Sequence, residues 1–90
     1  MSRVEATLIL ANKSGLHARP ASIFVQLAKK FQSEIKIRKG EKEANAKSIL
    51  SVLSLGAECG DEVRIIAEGE DAPDALNALV DLIKNRFGEE

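Results

Sequence analysis

Apolar positions recur at every second residue near the start of the chain. Val4, Ala6, Leu8 and Leu10 alternate with Glu5, Thr7 and Ile9, the period of a strand with one buried face. Ala11-Asn12-Lys13-Ser14-Gly15-Leu16 breaks the alternation and reads as a loop. Ala21, Phe24, Ala28 and Phe31 then fall at helical spacing, with Ile23 and Leu27 widening the stripe. Pro20 fits the first turn, where an amide hydrogen would have no partner inside the helix. The helix therefore begins just after His17. Ile35 and Ile37 alternate with charged residues, and Lys39-Gly40-Glu41-Lys42 reads as a hairpin turn into a short strand near residues 43–46. Ser48 opens a short helix carrying Ile49, Leu50, Val52, Leu53 and Leu55, and Gly56 closes it. Glu62-Val63-Arg64-Ile65-Ile66-Ala67 fits a further strand. In the last helix Asp71 is the cap and Pro73 lies in the first turn. Leu76, Leu79, Val80, Ile83 and Phe87 form its core stripe, and Gly88 ends it.

The order β-α-β-β-α-β-α, with short connections and one-sided elements, predicts an α+β domain spanning residues 1–90. Its four-stranded, mainly antiparallel sheet carries three helices on one face, and the alternating strands leave the other face to water. Ninety residues bury a modest core, and the single Cys59 allows no internal disulfide, which suits a reducing compartment. The N-terminus has no signal-peptide block and no apolar run approaches a membrane span, so a soluble, cytoplasmic protein is expected. With Phe24, Phe31 and Phe87 as the only aromatic residues and a net charge of −1, nucleic acid is a poor partner. One histidine and one cysteine make no metal set, and no cofactor motif is present. The charge is unevenly spread: residues 1–57 carry a balance of +6 and residues 58–90 one of −7. Such a basic half suits acidic partners or phosphate.

The informative segment is Gly15-Leu16-His17-Ala18-Arg19-Pro20-Ala21. A neutral imidazole is nucleophilic and titrates near neutrality, so it can attack a phosphoryl donor. At a helix start it stands beside the free amides of Ala18 and Arg19, where an anion is favoured. Arg19 adds a fixed charge with forked donors for phosphate oxygens. A lone histidine at a helix start is also well explained as a cap or packing residue. A small binding domain with a structural His17 therefore stays open on these residues alone. So does a plain N-cap role for Ser48. Ile49, Leu50, Val52, Leu53 and Leu55 are more apolar residues than one face of a short helix can bury, so some should form a docking patch. Cys59 and the Lys29-Lys30 pair suggest nothing beyond a thiol without a chemical role and a solvated face.

The Gly15–Ala21 segment resembles the active-site signature of the HPr family of histidine-containing phosphocarriers. Ala46-Lys47-Ser48-Ile49-Leu50-Ser51-Val52-Leu53-Ser54-Leu55-Gly56 resembles that family's second helix and regulatory serine. The resemblance implies an open-faced β-sandwich and a carrier that is not itself an enzyme. It implies phosphorylation of His17 at Nδ1 by enzyme I, with transfer to sugar-specific enzyme IIA domains. Arg19 would steady the phosphoryl group, and Leu16, Ile49, Leu50 and Leu53 would dock partners. Ser48 matches a serine phosphorylated by an HPr kinase/phosphorylase in many Gram-positive members, which adds a catabolite-control repressor to the candidate partners. Leu50 and Leu53 stand where many such members place methionines. A monomer is the default expectation, and a regulatory member outside sugar transport is the second reading.

Overall fold

In the computed structural model, which describes residues 2–89, the chain folds as β1 (Ser2–Ile9), α1 (Ala18–Ala28), β2 (Glu34–Lys39), β3 (Lys42–Asn45), α2 (Ile49–Leu53), β4 (Glu62–Gly69) and α3 (Ala72–Lys84). The four strands form one antiparallel sheet in the order β1-β4-β2-β3. The register puts alternate residues on opposite faces. Ala6 faces Ile65, Ile65 faces Ile37 and Ile37 faces Ala44, and this row lies beneath the helices. The neighbouring row carries Thr7, Arg64, Arg38 and Glu43 on the open face, where ion pairs such as Lys36–Glu43 at 3.5 Å cross strands. β4, drawn from the acidic half, lies between β1 and β2 of the basic half, so the charge partition along the chain is not a partition across the sheet.

The expected elements are present, with differences at their ends. α1 buries Pro20, Ala21, Phe24, Val25 and Ala28, while Ile23 turns outward to join the exposed apolar residues. α2 stops at Leu53, short of Leu55, which is buried beyond the helix end. α3 buries Ala72, Ala75, Leu79 and Ile83 and keeps Leu76 half-buried. It does not run on to Phe87. It ends at Lys84, and Arg86 and Phe87 adopt left-handed φ of 55° and 54°, a conformation that costs about 1–2 kcal/mol per residue. The reversal returns the Phe87 ring to the core and leads Glu89 back toward the loop before α1.

Asp71 sits at the N-cap position of α3 but does not cap it. Its carboxylate accepts instead from the amides of Gln32 and Ser33 and from the Ser33 hydroxyl, in the connection from α1 to β2. Those donors, the Ser33 hydroxyl foremost, hold the Asp71 carboxyl below the ordinary aspartate value.

Candidate functional site

His17 is the N-cap residue of α1. Its carbonyl takes the first helical hydrogen bond, from the Ala21 amide at 2.9 Å, while its side chain makes no capping bond. The imidazole therefore projects outward with 62% of its surface exposed. The Ala18 and Arg19 amides, first in the helix, have no acceptor among the described residues and point out of its N-terminus beside the ring. Arg19 is exposed and makes no ion pair among the described residues, although its charge helps to lower the Glu89 carboxyl. These positions are compatible with the expected phosphate-facing role of Ala18 and Arg19.

The loop into the helix is held from two sides. Asn12 is buried and donates to the Gly15 carbonyl at 2.8 Å, and Glu89 accepts from the Ser14 hydroxyl at 2.6 Å. Gly15 has φ of +59°, and a Cβ there would lie 2.6 Å from the Ala57 carbonyl oxygen and 2.7 Å from the Glu58 Cα. Only glycine satisfies both the torsion and the close approach. That approach, with the Leu16 amide donating to the Ala57 carbonyl at 2.9 Å, seats the segment after α2 against the base of α1.

The seating delivers a residue that sequence reasoning missed. Oε1 of Glu58 lies 2.6 Å from Nε2 of His17, across 41 positions of chain. The Glu58 amide donates to Asp61, and Lys39 at the end of β2 binds both Asp61, at 2.9 Å, and the Gly56 carbonyl, at 3.0 Å. The Glu58 amide, then Lys39, holds the Asp61 carboxyl below its ordinary value. A Gly60-Asp61 pair signals a turn in the sequence, but nothing local says where that turn is pinned.

Ser48 is the N-cap of α2, and its Oγ accepts from the Ser51 amide at 3.3 Å, so the plain cap reading is realised. Beside it Leu50 is 77% exposed, and Ile49, Leu53 and Ile23 of α1 are also exposed. Leu16, expected at a docking surface, is instead buried. It is 2% exposed and belongs to the core, because the bond of its amide to Ala57 draws the residue inward. Cys59 is exposed. Among the described residues no cluster could hold a metal ion, and no helix is long and apolar enough to cross a membrane.

Comparison with known proteins agrees with this geometry. The family model for the HPr phosphorylation site of the phosphotransferase system matches residues 4–85. The phosphocarrier protein HPr of Treponema pallidum is 41% identical over 97% of this chain and 99% of its own. The HPr-like protein Crh of Halalkalibacterium halodurans is 44% identical over 90% of this chain and 96% of its own. A crystal structure of HPr from Thermoanaerobacter tengcongensis superposes with a TM-score of 0.94 at 53% identity, covering 97% of this chain and 98% of that one. A structure of an HPr dimer from the same organism gives 0.78 at 52% identity, over 93% and 97%. With a family match spanning both helix starts and relatives of nearly equal length, the chain belongs to the HPr family of phosphocarrier proteins of the bacterial phosphotransferase system, carriers rather than enzymes.

Proposed function

We propose that His17 accepts a phosphoryl group at Nδ1 from phosphorylated enzyme I and passes it to enzyme IIA domains for sugar uptake, in the cytoplasm and as a monomer. The observation that carries the reading is the exposed imidazole at the open N-terminus of α1, with Nε2 engaged by Glu58 and Nδ1 therefore the available nitrogen. In the forward step the Nδ1 lone pair forms the new N–P bond as the donor's bond breaks, and the departing electron pair stays with the donor. Partners supply most of the positioning, since Arg19 and two backbone amides hold phosphate only lightly. A light hold suits a carrier, because deep stabilisation of the phosphorylated form would slow the next transfer.

The test is incubation with enzyme I and labelled phosphoenolpyruvate. The chain should take up one acid-labile, base-stable phosphate that chases onto an enzyme IIA domain, and it should sediment at the monomer mass. Failure to become labelled would overturn the reading. Labelling without onward transfer would favour the second reading, a regulatory member, which the likeness to an HPr-like protein recommends. In either case Ser48 is the candidate regulatory site, with an HPr kinase/phosphorylase and a catabolite-control repressor as its partners, and the exposed Ile49, Leu50 and Leu53 form the docking surface beside it.

A further inference from the structure

We infer that Glu58 is a positioning residue for phosphoryl transfer: its carboxylate holds the proton on Nε2 of His17, keeping the lone pair on Nδ1 and the phosphorylated ring ready to discharge. The inference deepens the reading of His17 as the carrier and rests on it.

A carboxylate can only accept a hydrogen bond, so at 2.6 Å the shared proton belongs to Nε2. A neutral imidazole has one N–H, which leaves Nδ1 unprotonated and nucleophilic. When Nδ1 forms its bond to phosphorus, the ring becomes a cation that still carries the Nε2 proton. The Glu58 carboxylate offsets that charge and favours retention of the proton. On discharge the N–P bond breaks, its electron pair returns to Nδ1, and a neutral imidazole leaves. Had Nε2 lost its proton first, the leaving group would be an imidazolate, a far poorer one. No proton need enter or leave the site in either direction.

Glu58 is presented by a built loop. Its own amide is tied to Asp61, whose carboxylate Lys39 holds from β2. Leu10, following β1, closes the same turn twice, donating to the Asp61 carbonyl at 2.9 Å and accepting from the Gly60 amide at 2.7 Å. Gly15 permits the backbone at Ala57 and Glu58 to lie against the start of α1. The loop is thereby fixed to two strands and to the segment that carries the histidine. The side chains of His17 and Glu58 are 62% and 64% exposed in the free protein. A docked partner that covers them would exclude water and strengthen their attraction at the moment of transfer.

The experiment compares parent, Glu58→Gln and Glu58→Leu in phosphorylation by enzyme I, in discharge to an enzyme IIA domain, and by nitrogen-15 NMR of the His17 ring, with thermal unfolding as the folding control. Glutamine keeps an acceptor without the charge, so it should rescue the ring signature in part. Both rates should fall about 3- to 10-fold in Glu58→Leu and less in Glu58→Gln. The Nε2 and Nδ1 shifts should move toward those of a free imidazole in the same order, with the unfolding midpoint unchanged. Glu58→Leu rates within twofold of the parent, or slowed transfer with an unmoved ring spectrum, would overturn the inference, the latter making Glu58 a docking residue. A parent that enzyme I does not phosphorylate would instead overturn the carrier reading itself.

Discussion

The starts of α1 and α2 are built oppositely. At α1 the N-cap residue is His17, whose side chain makes no capping bond and leaves the first amides of an eleven-residue helix open. At α2 the N-cap residue is Ser48, whose hydroxyl already accepts from Ser51 over a helix of only five residues. The long helix offers both a nucleophile and unfilled donors, and an anion gains from its dipole. The short helix is satisfied and has little dipole to offer. On the function proposed above, the chemistry would belong to the first end, and the second would influence it only from the surface, through charge placed beside the exposed Leu50 and Ile49.

Substitutions at three positions test this contrast, in falling order of effect on transfer. His17→Ala should abolish phosphorylation by enzyme I while the fold survives, because the chain has no second histidine. Acid-labile, base-stable phosphate on the mutant would end the contrast at once. Arg19→Glu should slow charging and discharge about tenfold or more, since it replaces a charge-assisted phosphate contact with repulsion. Transfer kinetics within twofold of the parent, at unchanged melting temperature, would show that the open end works without its arginine.

Ser48→Asp should slow charging about two- to fivefold, chiefly through weaker partner binding, with a smaller penalty at high salt. Ser48→Ala should leave transfer intact and cost about 1 kcal/mol of stability through loss of the cap. If the two variants transfer alike in a salt series, the α2 end acts as a cap and not through charge.

A third helix start extends the comparison without touching transfer. The Asp71 carboxylate serves Gln32 and Ser33 rather than α3, and its folded-state pKa is depressed. Its contribution to stability is therefore complete above the ordinary aspartate value and is lost as pH falls through the lower, folded value. Asp71→Asn should lower the melting temperature at neutral pH and flatten its decline in acid. An unchanged acid limb would mean that other carboxyls govern that decline.

Most of the architecture was legible because period and punctuation agreed. Two-residue alternation marked the strands, Pro20 and Pro73 marked helix starts, and Gly40 marked the hairpin. The errors fell where tertiary contacts override local preference. Val80 reads as core from its spacing but is only half-buried, because α3 turns its small residues Ala72 and Ala75 inward beside Leu79 and Ile83. A helix reading that carried on through Phe87 could not foresee two consecutive left-handed residues. At the candidate site, the placement of His17, Ala18 and Arg19 at the start of α1 is legible because it depends on neighbours in sequence. The place of Glu58 beside His17 is not legible, because it depends on Gly15, Leu16 and Lys39, which meet its loop only after folding. The burial of Leu16, expected at a docking surface, escapes the sequence for the same reason.

The register of β1 against β4 has a kinetic meaning. The first strand pairs with the last, so the sheet closes only once the chain is available as far as Gly69. Late closure of distant segments is the slow part of folding in topologies of this kind. The loop bearing Glu58 is tied to the end of β1 and packs on Gly15, so it gains its place in the same event. A nascent or partly unfolded chain would expose the histidine without its carboxylate neighbour and, on the role inferred for Glu58, would be charged more slowly. Competence to carry phosphate would thus report on completed folding, and phosphoryl flux would pass by defective copies without a separate inspection step.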